Sequence, residues 1–84
     1  MNEHVVSFQA ALEAAYVDLF ATSAEYAFAA SRTTPALLAE KMTAGLRNGS
    51  AHHVGDGIKR ACKAVGIKYT ATAIRAYLKE DANG

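Results

Sequence analysis

Cysteine is almost absent from the 84-residue chain, which excludes a disulfide framework. Cys62 is the only cysteine, so no second thiol of the chain can pair with it. The sequence also lacks the CxxC and HExxH spacings and a glycine-rich phosphate loop. No apolar run approaches the roughly 18 residues that a transmembrane helix needs, and no basic segment typical of a secretory signal stands at the start. These absences predict a cytoplasmic protein that is not an enzyme and has no cofactor, metal site or membrane segment.

Large apolar side chains are also few. Of the 51 % of residues that are apolar, 19 are alanine, and 24 larger side chains remain to fill a core. Because domains usually span about 100–200 residues, residues 1–84 are expected to form a single domain. The predicted core is Phe8, Leu12, Tyr16, Leu19, Phe20, Phe28, Leu38, Met42, Leu46, Ile58, Val65, Ile74 and Leu78.

Charge is distributed unevenly along the chain. The formal net charge is only +1, but residues 1–56 carry −3 and residues 57–84 carry +4. Such an asymmetry either steers an anionic partner to the C-terminal third or lets the two parts of the fold attract each other.

Apolar periodicity predicts helices in the first half. Val5, Phe8, Leu12, Tyr16 and Leu19 recur at steps of three and four, which predicts helix one from about residue 4 to residue 21. Thr22 followed by Glu25 fits a capping box, and a short second helix is expected over 23–31.

The second half contains stronger start and stop signals. Thr34 before Pro35 predicts the start of helix three, and Asn48 with Gly49 predicts its end. The segment 48–56 is then expected to be a flexible loop, and residues 81–84 a frayed tail. Asp56 and Gly66 are expected to cap the two ends of helix four, and Thr70 the start of helix five.

The predicted fold class is all-α, a compact bundle of four to five short helices with a C-terminal helical hairpin. One alternative remains for residues 65–71. Val65, Ile67, Tyr69 and Ala71 alternate with period two, which is typical of a strand, although glycine and alanine are poor strand residues.

Few residues suggest chemistry. His52 and His53 are adjacent, and adjacent side chains reach one metal ion only in special loop geometry, so a solvent-exposed polar loop is the preferred interpretation. Ser50, His52 and Asp56 have the residue types of a hydrolytic triad but share one loop without rigid support. Cys62 lies on the apolar stripe of helix four, where a small buried hydrophobe is expected rather than a nucleophile.

The informative segment is 58–78, where cations and tyrosines alternate with apolar residues. Two short helices joined at Gly66 resemble the helix-turn-helix of DNA-binding regulators, but the apolar residues Ala71 and Ile74 fall one position earlier than in that pattern. A solvated basic face on an ordinary helical hairpin is the preferred alternative to DNA reading. Tyr77 lies on the core stripe, whereas Tyr69 is in the turn and is the better surface anchor. The candidate partner- or nucleic-acid-binding residues are Lys59, Arg60, Lys63, Lys68, Tyr69, Thr72, Arg75 and Lys79.

The runs Thr-Pro-Ala-Leu-Leu-Ala-Glu-Lys-Met and Gly-Ile-Lys-Tyr-Thr-Ala-Thr-Ala-Ile-Arg-Ala-Tyr-Leu resemble small uncharacterised proteins of proteobacterial phages, plasmids and integrative elements. Proteins of this kind include anti-CRISPR inhibitors, which occupy a surface on a defence nucleoprotein, and small DNA-binding regulators. The resemblance implies no particular functional residue.

Three hypotheses follow. The first is a non-enzymatic inhibitor of the anti-CRISPR type, whose partner is a host protein or nucleoprotein complex such as a CRISPR effector. The second is a helix-turn-helix-like regulator that binds nucleic acid through helices four and five, as a homodimer because one hairpin buries too little surface. The third is an assembly protein in which the alanine-rich helix one packs against a second copy.

Overall fold

A computed structural model of the chain describes residues 7–50 and 55–83, with side chains as far as Glu80. Within these ranges all regular structure is helical. The helices are α1 (Phe8–Thr22), a 3₁₀ turn (Ala24–Tyr26), α2 (Ala27–Ala30), α3 (Pro35–Asn48), α4 (Asp56–Val65) and α5 (Ala71–Asn83). The all-α prediction is therefore confirmed. None of the described helices combines the length and the apolar character required to cross a bilayer.

Helix α1 is the central element, because both α3 and α4 pack against it. The predicted start of this helix near residue 4 is wrong, because α1 begins at Phe8. Ser7 before it is extended, and its hydroxyl accepts a hydrogen bond of 3.0 Å from the amide of Ala10. Such a cap satisfies one of the amides that a helix start leaves unpaired.

The predicted second helix lies where it is expected, over residues 24–30, but its form and its cap differ from the prediction. Thr22 is the last residue of α1, and its hydroxyl donates to the carbonyl of Asp18 at 2.9 Å, so it forms no capping box with Glu25. A 3₁₀ turn and a four-residue α2 follow instead. With little more than one turn, α2 has no continuous inner face, and Phe28 is 68 % exposed rather than in the core as predicted. Its ring lies under the guanidinium of Arg32, at 4.5 Å from the ring centroid.

Tyr16, Phe20 and Tyr26 form an aromatic cluster where the 3₁₀ turn meets α1. Their ring centroids lie 5.9–6.0 Å apart in tilted arrangements, which is a favourable separation for aromatic pairs. Tyr16 is buried, and this burial, together with the nearby Tyr26, raises the pKa of Tyr16 to about 12. The neutral phenol is thus the form that the fold favours.

The predicted limits of α3 are confirmed. The Thr34 hydroxyl accepts from the amide of Leu37 at 3.1 Å, Pro35 is the first helical residue, and Gly49 closes the helix at a φ of 85°. Thr43 on the same helix is buried, and its hydroxyl has no hydrogen-bond partner among the described residues.

The ends of α4 and α5 follow the predictions except at Asp56 and at the C-terminal end of α5. Helix α5 continues to Asn83, so residues 81–83 are helical and not the frayed tail that the sequence predicts. Asp56 is the first helical residue of α4, and the N-cap is Gly55, which offers no side chain. Gly66 ends α4 at a φ of 78°, and the amide of Ile67 donates to the carbonyl of Cys62 at 3.0 Å, which completes a Schellman motif. The Thr70 hydroxyl accepts from the amide of Ala73 at 3.1 Å. The strand alternative for 65–71 is therefore wrong, since these residues form a helix end, a turn and a helix start.

Most of the predicted core is correct. Phe20, Leu38, Met42 and Val65 are half-buried against it. The buried side chains outside the predicted core list are all small, namely Ala11, Ala15, Ala39, Thr43, Ala61 and Cys62. Helix α5 makes its main contacts with α3, whereas α4 packs on α1, so α4 and α5 do not form a close pair with each other. The predicted core residues that are fully buried are Phe8, Leu12, Tyr16, Leu19, Leu46, Ile58, Ile74 and Leu78.

Candidate functional site

A surface groove of about 460 Å³ runs beside α4, and we call it the α4 groove. Its apolar part comes from one helical residue and two turn residues, and its charged part from three cations of the helix. The lining residues are Lys59, Arg60, Cys62, Lys63, Ile67 and Tyr69. Four of the eight candidate binding residues are thereby brought together, namely Lys59, Arg60, Lys63 and Tyr69.

The end of α4 explains why the groove exists. Gly66 takes the left-handed conformation, and the Schellman motif directs the chain back toward the helix it has just left. Ile67 is thereby placed beside Cys62 and packs, half-buried, against the core. A continued helix would not have returned Ile67 to the flank of α4.

Tyr69 lines the side of the groove opposite the helix and is held there by a hydrogen bond. Its hydroxyl accepts a hydrogen bond of 2.8 Å from the amide of Gly55, directly before α4 begins. The bond joins the turn after α4 to the residue in front of it, and it pairs one of the amides that the helix start leaves open. The side chain remains 38 % exposed, as expected for a surface anchor.

The three cations of the groove differ in whether their charge is paired with a carboxylate. Arg60 forms an ion pair with Asp18 of α1, with 2.6 Å between guanidinium nitrogen and carboxylate oxygen, and both side chains are about half exposed, at 49 % and 58 %. Lys59 and Lys63 are exposed and have no ion pair with any residue the structure describes. The net positive charge available at the groove therefore lies mainly on these two lysines.

Cys62 lies at the floor and is buried. Burial raises the pKa of its thiol, since the low-dielectric interior disfavours the thiolate. The prediction of a small buried hydrophobe at this position is confirmed.

The remaining candidate residues lie elsewhere. Lys68, Thr72, Arg75 and Lys79 are exposed but do not line the groove. A guanidinium nitrogen of Arg75 lies 3.3 Å from the position that a Cβ on Gly49 would take. Arg75 is therefore close to the C-terminus of α3, where the helix dipole favours a cation.

The sites suggested for metal or hydrolytic chemistry are only partly described. His52 and His53 lie outside the described residues. Asp56 is the first residue of α4 and so does not lie in the loop. Across 7–50 and 55–83, no three His, Cys, Asp or Glu side chains are grouped as metal ligands.

Tyr77 packs against the core, in agreement with its predicted structural role.

Sequence reasoning missed Ile67 and Asp18 as parts of this surface. The Schellman signal at Gly66 could have placed Ile67 near α4, because that motif returns the next residue to the helix. No local signal could have paired Asp18 with Arg60, which lies 42 residues further along the chain.

Comparisons with protein-family models, with curated proteins and with solved structures find no match to the chain.

Proposed function

We propose that the chain is a non-enzymatic binding protein that acts by covering an anionic surface of a host nucleoprotein. The α4 groove is its contact surface. The observation that carries the proposal is the pair Lys59 and Lys63, which are exposed and without ion pairs among the described residues, in one groove with the apolar Ile67 and the ring of Tyr69.

The charged and the apolar parts of the groove contribute differently to binding. Two lysines attract an anionic partner over a distance of about a Debye length and hasten encounter. Apolar floor atoms then contribute the affinity that exposed charges alone do not, because exposed ion pairs are worth only about 0–1 kcal/mol. The groove combines both contributions along α4 and the turn that follows it.

The class of partner comes from the resemblance to small proteins of mobile elements. Inhibition of the anti-CRISPR type is accordingly the narrower form of the proposal, in which the protein sits on an anionic surface of the effector and sterically prevents the capture of target DNA. This mode requires contact and no bond-breaking chemistry.

The test uses purified CRISPR effector complexes and measures target-DNA capture and cleavage with and without the protein. Wild type is expected to inhibit, Lys59→Glu/Lys63→Glu to lose inhibition, and Lys41→Glu to retain it. Lys41 is an exposed lysine of α3 that does not line the groove. Unchanged cleavage with wild type, or equal inhibition by the double variant, would contradict the proposal.

A second candidate is a DNA-binding regulator. Thr72, Arg75 and Lys79 are exposed on α5 at spacings of three and four residues, as a recognition surface requires. The separate packing of α4 on α1 and of α5 on α3 weighs against a standard helix-turn-helix pair. A mobility shift on duplex DNA that weakens steeply with salt and with Arg75→Ala would favour this candidate. An unshifted duplex at low salt would dispose of it.

A further inference from the structure

We infer that the α4 groove receives an acidic amphipathic helix of the partner protein. One apolar side chain of that helix lies on the groove floor, and two of its carboxylates, one helical turn apart, face Lys59 and Lys63. The inference rests on the proposed function, because it names the occupant of the same groove.

The spacing of the lysines is the first argument. Lys59 and Lys63 are four residues apart on α4, so their side chains emerge from the same face, about 6 Å apart along the axis. Carboxylates at positions i and i+4 of a partner helix have the same spacing. A partner helix that lies along α4 can therefore place one carboxylate opposite Lys59 and the other opposite Lys63 at the same time.

The floor of the groove is the second argument. Ile67 is aliphatic and half-buried, and the buried Cys62 beside it is similarly apolar. Tyr69 is the one aromatic residue lining the groove, and its hydroxyl is held by Gly55. Stacking of successive nucleic-acid bases needs several open aromatic faces. This floor is better suited to one leucine-like side chain.

The ion pair at the edge is the third argument. The guanidinium of Arg60 is already bonded to Asp18, so it is not free to hold a phosphate with both of its nitrogens. The half-exposed carboxylate of Asp18 also repels a continuous phosphate backbone. A protein helix avoids this repulsion, because it can place a neutral or cationic residue opposite Asp18.

The test titrates isotope-labelled full-length protein and follows its backbone amide resonances. The probe is a helix-forming peptide of about 15 residues, long enough for partial helicity, with glutamates at positions i and i+4 and one leucine at i+3, so that all three side chains lie on one side of the helix. A matched peptide carries glutamine in place of both glutamates. A single-stranded oligothymidylate serves as the nucleic-acid probe.

The acidic peptide is expected to shift the resonances of Lys63, Ile67 and Tyr69, and to bind about five- to tenfold more weakly to Lys59→Gln/Lys63→Gln. Lys41→Gln is expected to bind it as wild type does. Equal binding of the glutamine peptide, or no shift at these residues at millimolar peptide, would overturn the inference. Shifts produced there by oligothymidylate alone would also overturn it, while leaving contact through the groove intact as the proposed function.

Discussion

The backbone of Gly57 lies directly against the ring of Tyr16, and this contact sets how closely α4 approaches α1. A Cβ placed on Gly57 would stand 3.0 Å from both Cδ1 and Cζ of that ring, and closer still to Cε1. Both residues are buried. The first turn of α4, from which the groove lysines follow, is therefore fixed by a position that admits no side chain.

Gly57→Ala is expected to destabilise the protein by about 1–3 kcal/mol, because the added methyl group overpacks a rigid ring. The sign is diagnostic, since glycine to alanine within an unobstructed helix stabilises by up to about 1 kcal/mol. Urea unfolding measures the effect. In a Tyr16→Leu background the same substitution should cost much less, and an unchanged cost there would contradict the steric explanation.

Stability is expected to fall at alkaline pH because of Tyr16. Its folded-state pKa is raised to about 12. The unfolded phenol titrates near about 10, so the contribution of this group is complete below that pH and is lost as pH rises from about 10 to 12. The loss amounts to about 2–3 kcal/mol, measured as the unfolding free energy at several pH values. Tyr16→Phe should flatten this part of the profile, and a profile identical to wild type would contradict the assignment.

Thr43→Val is expected to stabilise the protein by about 1 kcal/mol. The buried Thr43 hydroxyl has no partner among the described residues, and valine replaces it with a methyl group of similar shape. Thr34→Val on the same helix is the matched control. It should destabilise by about 1 kcal/mol, because the hydroxyl that caps Leu37 is lost. Thermal or urea unfolding measures the stability of both variants. A change of stability in the same direction in both would refute the expectation.

Asp18→Asn is expected to tighten binding of the acidic peptide about two- to fivefold. The substitution removes the carboxylate that pairs with Arg60 and leaves the guanidinium free at the groove. Glu13→Gln provides the control, since it removes one negative charge from the same helix at a residue that does not line the groove. Peptide titration measures the affinity of both variants. An equal gain in affinity would show that only the change in net charge matters and not the release of Arg60.

The helix ends were predicted best at residues that cap a helix or that take a backbone conformation which ends one. Thr34 with Pro35, Gly66 and Thr70 mark positions at which the chain needs a cap or a left-handed residue, and the structure uses each in that way. Thr22 failed as a signal because its hydroxyl has two local options, and the carbonyl of Asp18 competes successfully for it.

Tertiary contacts explain the remaining differences. Phe28 was expected in the core on residue type alone, but its burial depends on the length and direction of α2, which periodicity does not specify over four residues. The lysines of the groove were predicted from their spacing on one helix. The ion pair between Asp18 and Arg60 was not, because it arises from the packing of α4 on α1.

The central position of α1 has a consequence for synthesis. The 33 residues from Ser23 to Gly55 separate its end from the start of α4, the helix that covers one of its sides. While these residues emerge from the ribosome, the ring of Tyr16 and its apolar neighbours are without that cover. The nascent chain is thus open to chaperones, or to other nascent chains, until α4 has emerged from the ribosome.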